Sequence, residues 1–176
     1  MAKRIPLICH PDTPARRVDR VEVGLGISQG QFEYRVFATG GLALPAMEPP
    51  ERGDELWKTT CLELFTQPEQ GPGYQEYNFS PSRRWAAYNF KSYRHGRSDL
   101  DIAPPKIDFW SDITGGALRV ELDLAATIAF PCRYGLSAII EETDGTKSYW
   151  ALAHTNPDKP DFHHPDSFAL ELPALV

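Results

Sequence analysis

The stretch that decides the fold covers residues 54–94 and reads DELWKTTCLELFTQPEQGPGYQEYNFSPSRRWAAYNFKSYR. It holds three runs rich in aromatic and aliphatic residues, separated by a Gly/Pro-rich segment at 68–73 and by Ser-Pro-Ser at 80–82. Aromatic side chains recur at every second position, for example at Tyr77 and Phe79. This period is typical of strands that place one face on a core, so the stretch predicts consecutive β-hairpins.

The same period assigns the faces of the first run, which is predicted to be a strand at 59–66. Two leucines share one face, whereas a thiol, a carboxylate and a phenyl ring share the other: Leu62 and Leu64 against Cys61, Glu63 and Phe65. Because Trp57 directly precedes this strand, the indole and the outward carboxylate are expected near the same end of the sheet.

Alternation in the rest of the chain predicts further strands, at 21–27, 32–38, 107–113, 118–124, 136–142, 148–154 and 168–172. Residues 1–16 look irregular, Gln29-Gly30 reads as a turn, and proline predicts loops at 40–53 and 97–106. A single helical turn is expected within 124–129. Roughly nine or ten strands with little helix predict an all-β fold, an antiparallel β-sandwich.

Composition limits the class of protein. The 176 residues are 41% hydrophobic and suit a single domain spanning 1–176 with its own core. The net charge is −6 and no block of Lys and Arg occurs, which argues against nucleic-acid binding. No apolar run approaches the ~18 residues of a membrane span, and the N-terminus lacks a signal peptide's apolar segment, so we expect no membrane association and a cytoplasmic location. Cys9, Cys61 and Cys132 are odd in number and widely spaced, which favours free thiols.

A first group of candidate binding residues surrounds the central strands: Trp57, Lys58, Glu63, Arg84 and Arg94. Flat aromatic surfaces bind the apolar faces of sugar rings, and charged groups bind hydroxyls or carboxylates. The alternative is that Trp57 seals an edge of the sandwich and the charges are simply solvated.

The late segment 154–166, HTNPDKPDFHHPD, is a second candidate. It concentrates imidazoles and carboxylates, namely His154, His163, His164, Asp158, Asp161 and Asp166. These are suitable ligands for a divalent metal, but their spacing matches no standard zinc pattern. A metal-free loop that hydrogen-bonds a polyol, or a surface loop with Asp and Pro in turns, fits equally. Heme would need an axial ligand such as His154, His163 or Met47 beside a large apolar pocket.

Catalysis finds little support in the sequence, which lacks a G-x-S-x-G motif and a phosphate-cradling glycine loop. Glu141 and Glu142 are adjacent on a strand, so they point to opposite faces and cannot act as a pair. Glu63 with Glu76 is the remaining carboxylate pair, and its geometry is open at this point. We therefore expect a protein that is not an enzyme.

Three runs in order resemble the DOMON-like domains, small bacterial β-sandwich proteins related to carbohydrate-binding module family 9. The runs are LWKTTCLELF, YQEYNFSPSRRWAAYNFKSYR and YWALAHTNPDKPDFHHPDSFALEL, and the likeness covers most of the chain. The resemblance implies a jelly-roll-like antiparallel sandwich that binds a sugar or, in some relatives, heme, with structural calcium in some members.

Sugar-binding relatives carry a Trp just before a strand and a Glu six positions later, which Trp57 and Glu63 match. Their second aromatic wall lies near the chain end, where this sequence has Phe162, His163 and His164 but no Trp. Trp150 matches the Trp that precedes this loop in the family. The expected cytoplasmic location is a second departure, since polysaccharide binders usually act outside the cell.

These observations together predict a non-catalytic module that binds a sugar-like small molecule without a cofactor. The expected binding residues are Trp57, Lys58, Glu63, Arg84, Arg94, Trp150, His154, His163 and His164. A heme-binding domain and a protein-interaction sandwich without a small ligand are the alternatives.

Overall fold

The structure is a computed structural model that describes residues 4–26 and 30–172. These residues form twelve strands: β1 (Arg4–Cys9), β2 (Val18–Gly26), β3 (Gln31–Ala38), β4 (Cys61–Pro68), β5 (Tyr74–Phe79), β6 (Trp85–Phe90), β7 (Ser98–Asp99), β8 (Lys106–Asp112), β9 (Gly115–Glu121), β10 (Cys132–Glu141), β11 (Lys147–Ala151) and β12 (Leu170–Leu172). One short helix, α1, spans Leu124–Thr127, and 3₁₀ turns span Leu56–Lys58 and Pro165–Ser167.

The strands pair antiparallel in one continuous sheet of order β7-β6-β5-β4-β10-β11-β1-β2-β3-β9-β8, with β12 added to β10. The sheet curls into a half-barrel. Strand β1 joins two halves, because its beginning pairs with β2 whereas Ile8 and Cys9 pair with β11. We call β2, β3, β8 and β9 the first half, and β4–β7 with β10–β12 the second half.

The inner core lies between the two halves. Alternate residues of both halves contribute to it, among them Val21, Tyr34, Leu62, Leu64, Tyr77, Leu118, Leu136 and Trp150. The Tyr34 hydroxyl on β3 donates a hydrogen bond of 2.6 Å to the Glu63 carbonyl on β4 and so ties the halves together. Burial of these alternating apolar faces is the main force that holds the curled sheet in shape.

A second hydrophobic cluster covers the opposite, outer face of the second half. Its members are Phe65, Tyr74, Ala86, Tyr88, Phe90, Ile139, Ala151, Phe162 and Phe168, with Leu56, Trp57 and Tyr149 partly buried against them. Phe162 and Phe168 come from the segment after β11, which therefore folds back over this face. The predicted division of β4 into two faces is confirmed, since Leu62 and Leu64 lie in the inner core and Phe65 in the outer cluster.

The all-β class with almost no helix is confirmed, but the strand count was wrong. Two of the twelve strands were not predicted: β1, within the supposedly irregular residues 1–16, and the two-residue β7, within a predicted loop. The helical turn expected within 124–129 is present as α1. Ile27 and Gln29, to which a strand end and a turn were assigned, lie outside the described residues. Within the described ranges, no helix is long and apolar enough to cross a membrane.

Candidate functional site

Three strands bring polar side chains together on the outer face of the second half. Ser137 on β10 pairs with Glu63 on β4, and Glu63 pairs with Asn78 on β5. Directly paired residues point to the same side of a sheet, so these three share one face. Two positions along β4 on that face, Phe65 pairs with Glu76. Glu63 and Glu76 are therefore diagonal neighbours beneath the outer cluster.

Glu63 is a buried acid, only 3% exposed. One carboxyl oxygen, Oε2, accepts a hydrogen bond of 2.8 Å from the Ser137 hydroxyl. Burial, and secondarily the nearby Glu76 carboxyl, raises the pKa of Glu63 from 4.5 to about 8. A neutral hydroxyl stabilises the charged form too little to offset this desolvation, so Glu63 is protonated at pH 7 and can itself donate a hydrogen bond.

Glu76 is the second buried acid, 5% exposed. Its Oε1 accepts a hydrogen bond of 2.8 Å from the Asn78 amide, while its Oε2 lies 3.8 Å from Nε2 of His163. Burial raises the pKa of Glu76 as well. The two acids thus form a coupled pair in a place where an ordinary core would hold apolar side chains.

His163 lies over this pair and is held by aromatic neighbours. Its Nδ1 is 2.8 Å from the Tyr74 hydroxyl, and its ring centroid is 5.2 Å from those of Phe65 and Phe90. Burial, and then the positive charge of Arg94, lowers the pKa of His163 to about 4, whereas burial raises that of Tyr74 to about 12. Near pH 7 His163 is therefore neutral, and one hydrogen bond joins its Nδ1 to the neutral Tyr74 hydroxyl.

Arg94 brings a cation to the edge of the cluster. Its guanidinium donates to Asp161 at 2.9 Å, and its backbone N–H donates to the Tyr74 hydroxyl at 3.1 Å. Its side chain remains 50% exposed. The charge of Arg94 is close enough to favour ionisation of both Glu63 and Glu76, but burial outweighs it. Arg94 is thus a half-exposed cation beside two acids whose pKa values are raised by burial.

Trp57 stands in the 3₁₀ turn before β4 and is half-buried. Its indole meets the ring of Tyr88 edge-on, with centroids 6.5 Å apart, and the Tyr88 hydroxyl donates to Asp54 at 2.6 Å. Tyr88 pairs with Glu76 across β5 and β6, which places Trp57 at the margin of the acid pair. The guanidinium carbon of Arg97 lies 4.9 Å from the centre of the Tyr88 ring, so a second cation borders this margin.

Lys58 and Arg84, both predicted binding residues, have other partners. The Lys58 ammonium pairs with Glu55 at 2.6 Å in an exposed position. Arg84, at the turn between β5 and β6, pairs with Glu48 at 3.1 Å and donates to the Arg52 carbonyl at 3.1 Å. Neither side chain hydrogen-bonds the acid pair.

Trp150 lies in the inner core, on the other side of the sheet from the acid pair. It is 5% exposed, and its indole N–H donates to the Ser148 hydroxyl at 2.9 Å. An indole in this position stabilises the packing of the two halves and has no route to a ligand on the outer face.

The two other predicted histidines lie away from the acid pair. Nε2 of His154 is 2.8 Å from the Ile8 carbonyl, and its ring packs edge-on against His10 with centroids 4.7 Å apart. Burial lowers the pKa of His154. His164 accepts the Asp166 backbone N–H at 3.3 Å and so caps the second 3₁₀ turn.

Among the residues that the structure describes, no group of three or more His, Cys, Asp or Glu side chains is arranged to hold a metal ion. The tight packing of the outer cluster is also evident where Phe65, Phe162 and Ser167 meet, since the gap between them holds no water-sized space. Trp57, Arg94 and Arg97 stand at the margin of the acid pair, beside Tyr88 and Tyr74.

The structure brings together four of the predicted residues, namely Trp57, Glu63, Arg94 and His163. It adds residues that the sequence analysis did not name as candidates: Asn78, Ser137, Tyr74, Tyr88 and Arg97. Glu76 was named there only as the carboxylate partner of Glu63, and Asp161 only as a candidate of segment 154–166. The alternation in β5 already placed Glu76 and Asn78 on one face. The missing information was the pairing register, which decides that this face continues the face of Glu63.

The comparisons with known proteins address the fold. No protein-family model matches the chain, and no curated protein matches its sequence. Among solved structures, the chain is similar to a putative carbohydrate-binding protein from Bacteroides uniformis ATCC 8492, with a TM-score of 0.63 and 14% sequence identity. The match covers 94% of this chain and 83% of that chain. At this identity the likeness concerns the fold alone, and the DOMON-like resemblance stays a prediction from the sequence.

Proposed function

We propose that the protein is a non-catalytic binding module for a carbohydrate or a related small polyol, with its site at the margin of Glu63 and Glu76. The observation that carries this proposal is the pair of buried acids, 3% and 5% exposed, on one face of the second half. Acids with pKa values raised by burial and by a specific neighbour cluster at functional sites, since folding alone does not require them.

The chemistry of the margin suits a ring that carries hydroxyls. A protonated Glu63 donates one hydrogen bond and accepts others, as a sugar hydroxyl also does. Arg94 and Arg97 supply N–H donors at the rim, and the half-buried indole of Trp57 offers a flat apolar surface for C–H groups. Because Glu63 is protonated, the pair carries less negative charge than two ionised carboxylates would, and its hydrogen bonds are matched best by a polyol.

A glycoside hydrolase needs one protonated acid and one ionised carboxylate that flank the scissile bond. Glu63 and Glu76 are instead diagonal neighbours on adjacent strands of one sheet face, and both are buried under the outer cluster. This arrangement favours binding at the margin over catalysis. The fold likeness to a protein named as a putative carbohydrate-binding protein supports the same proposal. Our proposal includes the family: a DOMON-like jelly-roll domain related to carbohydrate-binding module family 9.

A thermal-shift screen with neutral mono- and disaccharides, followed by calorimetry on any that raise the melting temperature, tests the proposal. Trp57→Ala should weaken binding about tenfold or more, because it removes the apolar surface. Lys58→Ala is the matched control: it is the next residue, its charge pairs with Glu55 in solvent, and its affinity should equal that of the wild type.

Two results would count against the module. One is the absence of binding heat with every sugar. The other is a Trp57→Ala variant that folds normally and keeps wild-type affinity. Hemin included in the same screen addresses the alternative from the sequence, since a Soret shift without any sugar response would favour a heme domain.

A further inference from the structure

A separate hollow lies on the outer face of the first half, far from the acid pair in the pairing order of the sheet. Its floor is formed by Gly115, Gly116 and Ala117 at the start of β9. These small residues leave a cavity of about 190 Å³. That volume corresponds to roughly six water molecules at ~30 Å³ each, which is the scale of a single small ring.

Aromatic rings stand on both sides of this floor. Trp110 on β8 pairs with Ala117, and Phe37 on β3 pairs with Gly115. Strands β3 and β8 flank β9, so the two walls stand on strands about 9–10 Å apart, and they are offset along the strands by two residues, roughly 7 Å. The two Cα atoms are therefore about 12 Å apart on a diagonal across the floor. Both side chains reach into this span, and a flat ring in contact with both needs about 7–8 Å, given the ~3.5–4 Å separation of atoms in contact.

Arginines support both walls from outside the hollow. The guanidinium carbon of Arg20 lies 3.6 Å from the centre of the Phe37 ring, and that of Arg119 lies 5.6 Å from the Trp110 ring. Neither arginine lines the hollow. The indole of Trp110 is nevertheless 46% exposed, an unusual degree for a large aromatic residue on a sheet. Its free surface therefore faces the hollow and solvent.

Polar groups of opposite charge stand at the rim. Arg35 binds Glu33 through Nε at 2.7 Å, which leaves its terminal nitrogens for other acceptors. Asp112 accepts both the backbone N–H and the hydroxyl of Thr114 through Oδ1, so its second oxygen is available. A donor and an acceptor on either side of an aromatic-walled hollow match a ring whose edge carries hydroxyls, each of which both donates and accepts.

We propose that this hollow is a second carbohydrate site, which takes one pyranose ring of an oligosaccharide between Trp110 and Phe37. The site does not depend on the proposed function of the acid pair, because it lies on the other half of the sheet and shares no residue with it. A module with both sites would bind two stretches of a sugar chain, or two chains.

Nuclear magnetic resonance of the indole N–H groups tests this assignment directly. The sequence has four tryptophans, so each indole resonance can be assigned by a Trp→Phe variant. Titration with cellohexaose, xylohexaose and maltohexaose should shift the Trp110 resonance with at least one of them. Trp150, sealed in the inner core, is the internal reference and should not move. A shift at Trp57 reports on the other site, so the two proposals succeed or fail separately.

Ala117→Leu provides the variant that fills the hollow while keeping the indole at position 110, and its own ligand-free Trp110 resonance is the baseline for the titration. This variant should abolish the sugar-dependent shift of Trp110 while the Trp57 response stays unchanged. If Ala117→Leu unfolds the protein, Trp110→Phe in calorimetry replaces it and should lower the number of binding sites or the affinity. The assignment is overturned if no hexaose moves the Trp110 resonance at concentrations that saturate a millimolar site, or if the shift persists in a folded Ala117→Leu variant.

Discussion

Replacing Glu63 with glutamine should stabilise the protein, by an amount that grows with pH. In the folded protein the pKa of Glu63 is about 8, against an ordinary value of 4.5. Between these two pH values the folded state holds a proton that the unfolded state has lost. Stability of the wild type therefore falls as pH rises through this window, and the loss is complete above pH 8.

The size of the effect follows from the width of the window. At 1.36 kcal/mol per pH unit, ionisation of Glu63 in the unfolded state costs about 3 kcal/mol of folding free energy at pH 7 and on the order of 5 kcal/mol above pH 8. Glutamine is neutral in both states and carries no such cost. The variant loses at most about 1 kcal/mol of stability because its hydrogen bond to Ser137 is altered. This loss is the same at every pH, so it shifts the curve of stability against pH without changing its slope.

Urea denaturation of wild type and variant at pH 5, 6, 7, 8 and 9 measures the difference. Glu33→Gln on the first half is the matched control. Burial opposes ionisation of Glu33, but hydrogen bonds from Arg4, Arg119 and Arg35 outweigh it and lower its pKa to about 2. The stabilisation that ionised Glu33 contributes is thus fully present above pH 4.5. Glu33→Gln should therefore lower the free energy of unfolding by the same amount at every pH from 5 to 9. A Glu63→Gln difference that is equally flat over this range would refute the assignment of a buried, protonated acid.

Two further predictions concern the fold. Gly115→Ala should destabilise the protein by at least about 2 kcal/mol in urea denaturation, because the added Cβ would lie 1.9 Å from the Val36 carbonyl oxygen at a φ of +138°. The control Gly145→Ala has a φ of +85° and no atom within 4 Å of the added Cβ, so it should cost only about 1 kcal/mol. Equal losses in the two variants would contradict this steric explanation. Tyr34→Phe should lower stability by about 1–2 kcal/mol in the same assay, since it removes the buried hydrogen bond to the Glu63 carbonyl. An unchanged urea midpoint would show that this bond does not hold the two halves together.

Local patterns in the sequence predicted much of the strand content, because alternation is a property of each strand by itself. In β4 it separated Leu62 and Leu64 from Cys61, Glu63 and Phe65 correctly. It failed for β1, RIPLIC, in which apolar residues and a proline do not alternate cleanly. That strand is defined by its pairing with both β2 and β11, which are distant in sequence, and so no local pattern identifies it.

The candidate site was predictable only in part for the same reason. The grouping of Trp57 with Glu63 followed from their closeness in sequence. Glu76 and Ser137 join Glu63 only through the pairing of β5 and β10 with β4, and residue types do not specify that register. Trp150 was misassigned for a related reason. Alternation puts Trp150 and Tyr149 on opposite faces of β11, but only the tertiary packing decides which of the two side chains points into the inner core.

The most direct test of the buried-acid site is the titration of the Glu63 side-chain carboxyl by ¹³C nuclear magnetic resonance, with and without a sugar from the thermal-shift screen. We predict an apparent pKa near 8 in the free protein, a titration that is absent in Glu63→Gln, and a changed value when the ligand is bound. A carboxyl that titrates at its ordinary value near 4.5, and is indifferent to every ligand that binds, would contradict this prediction.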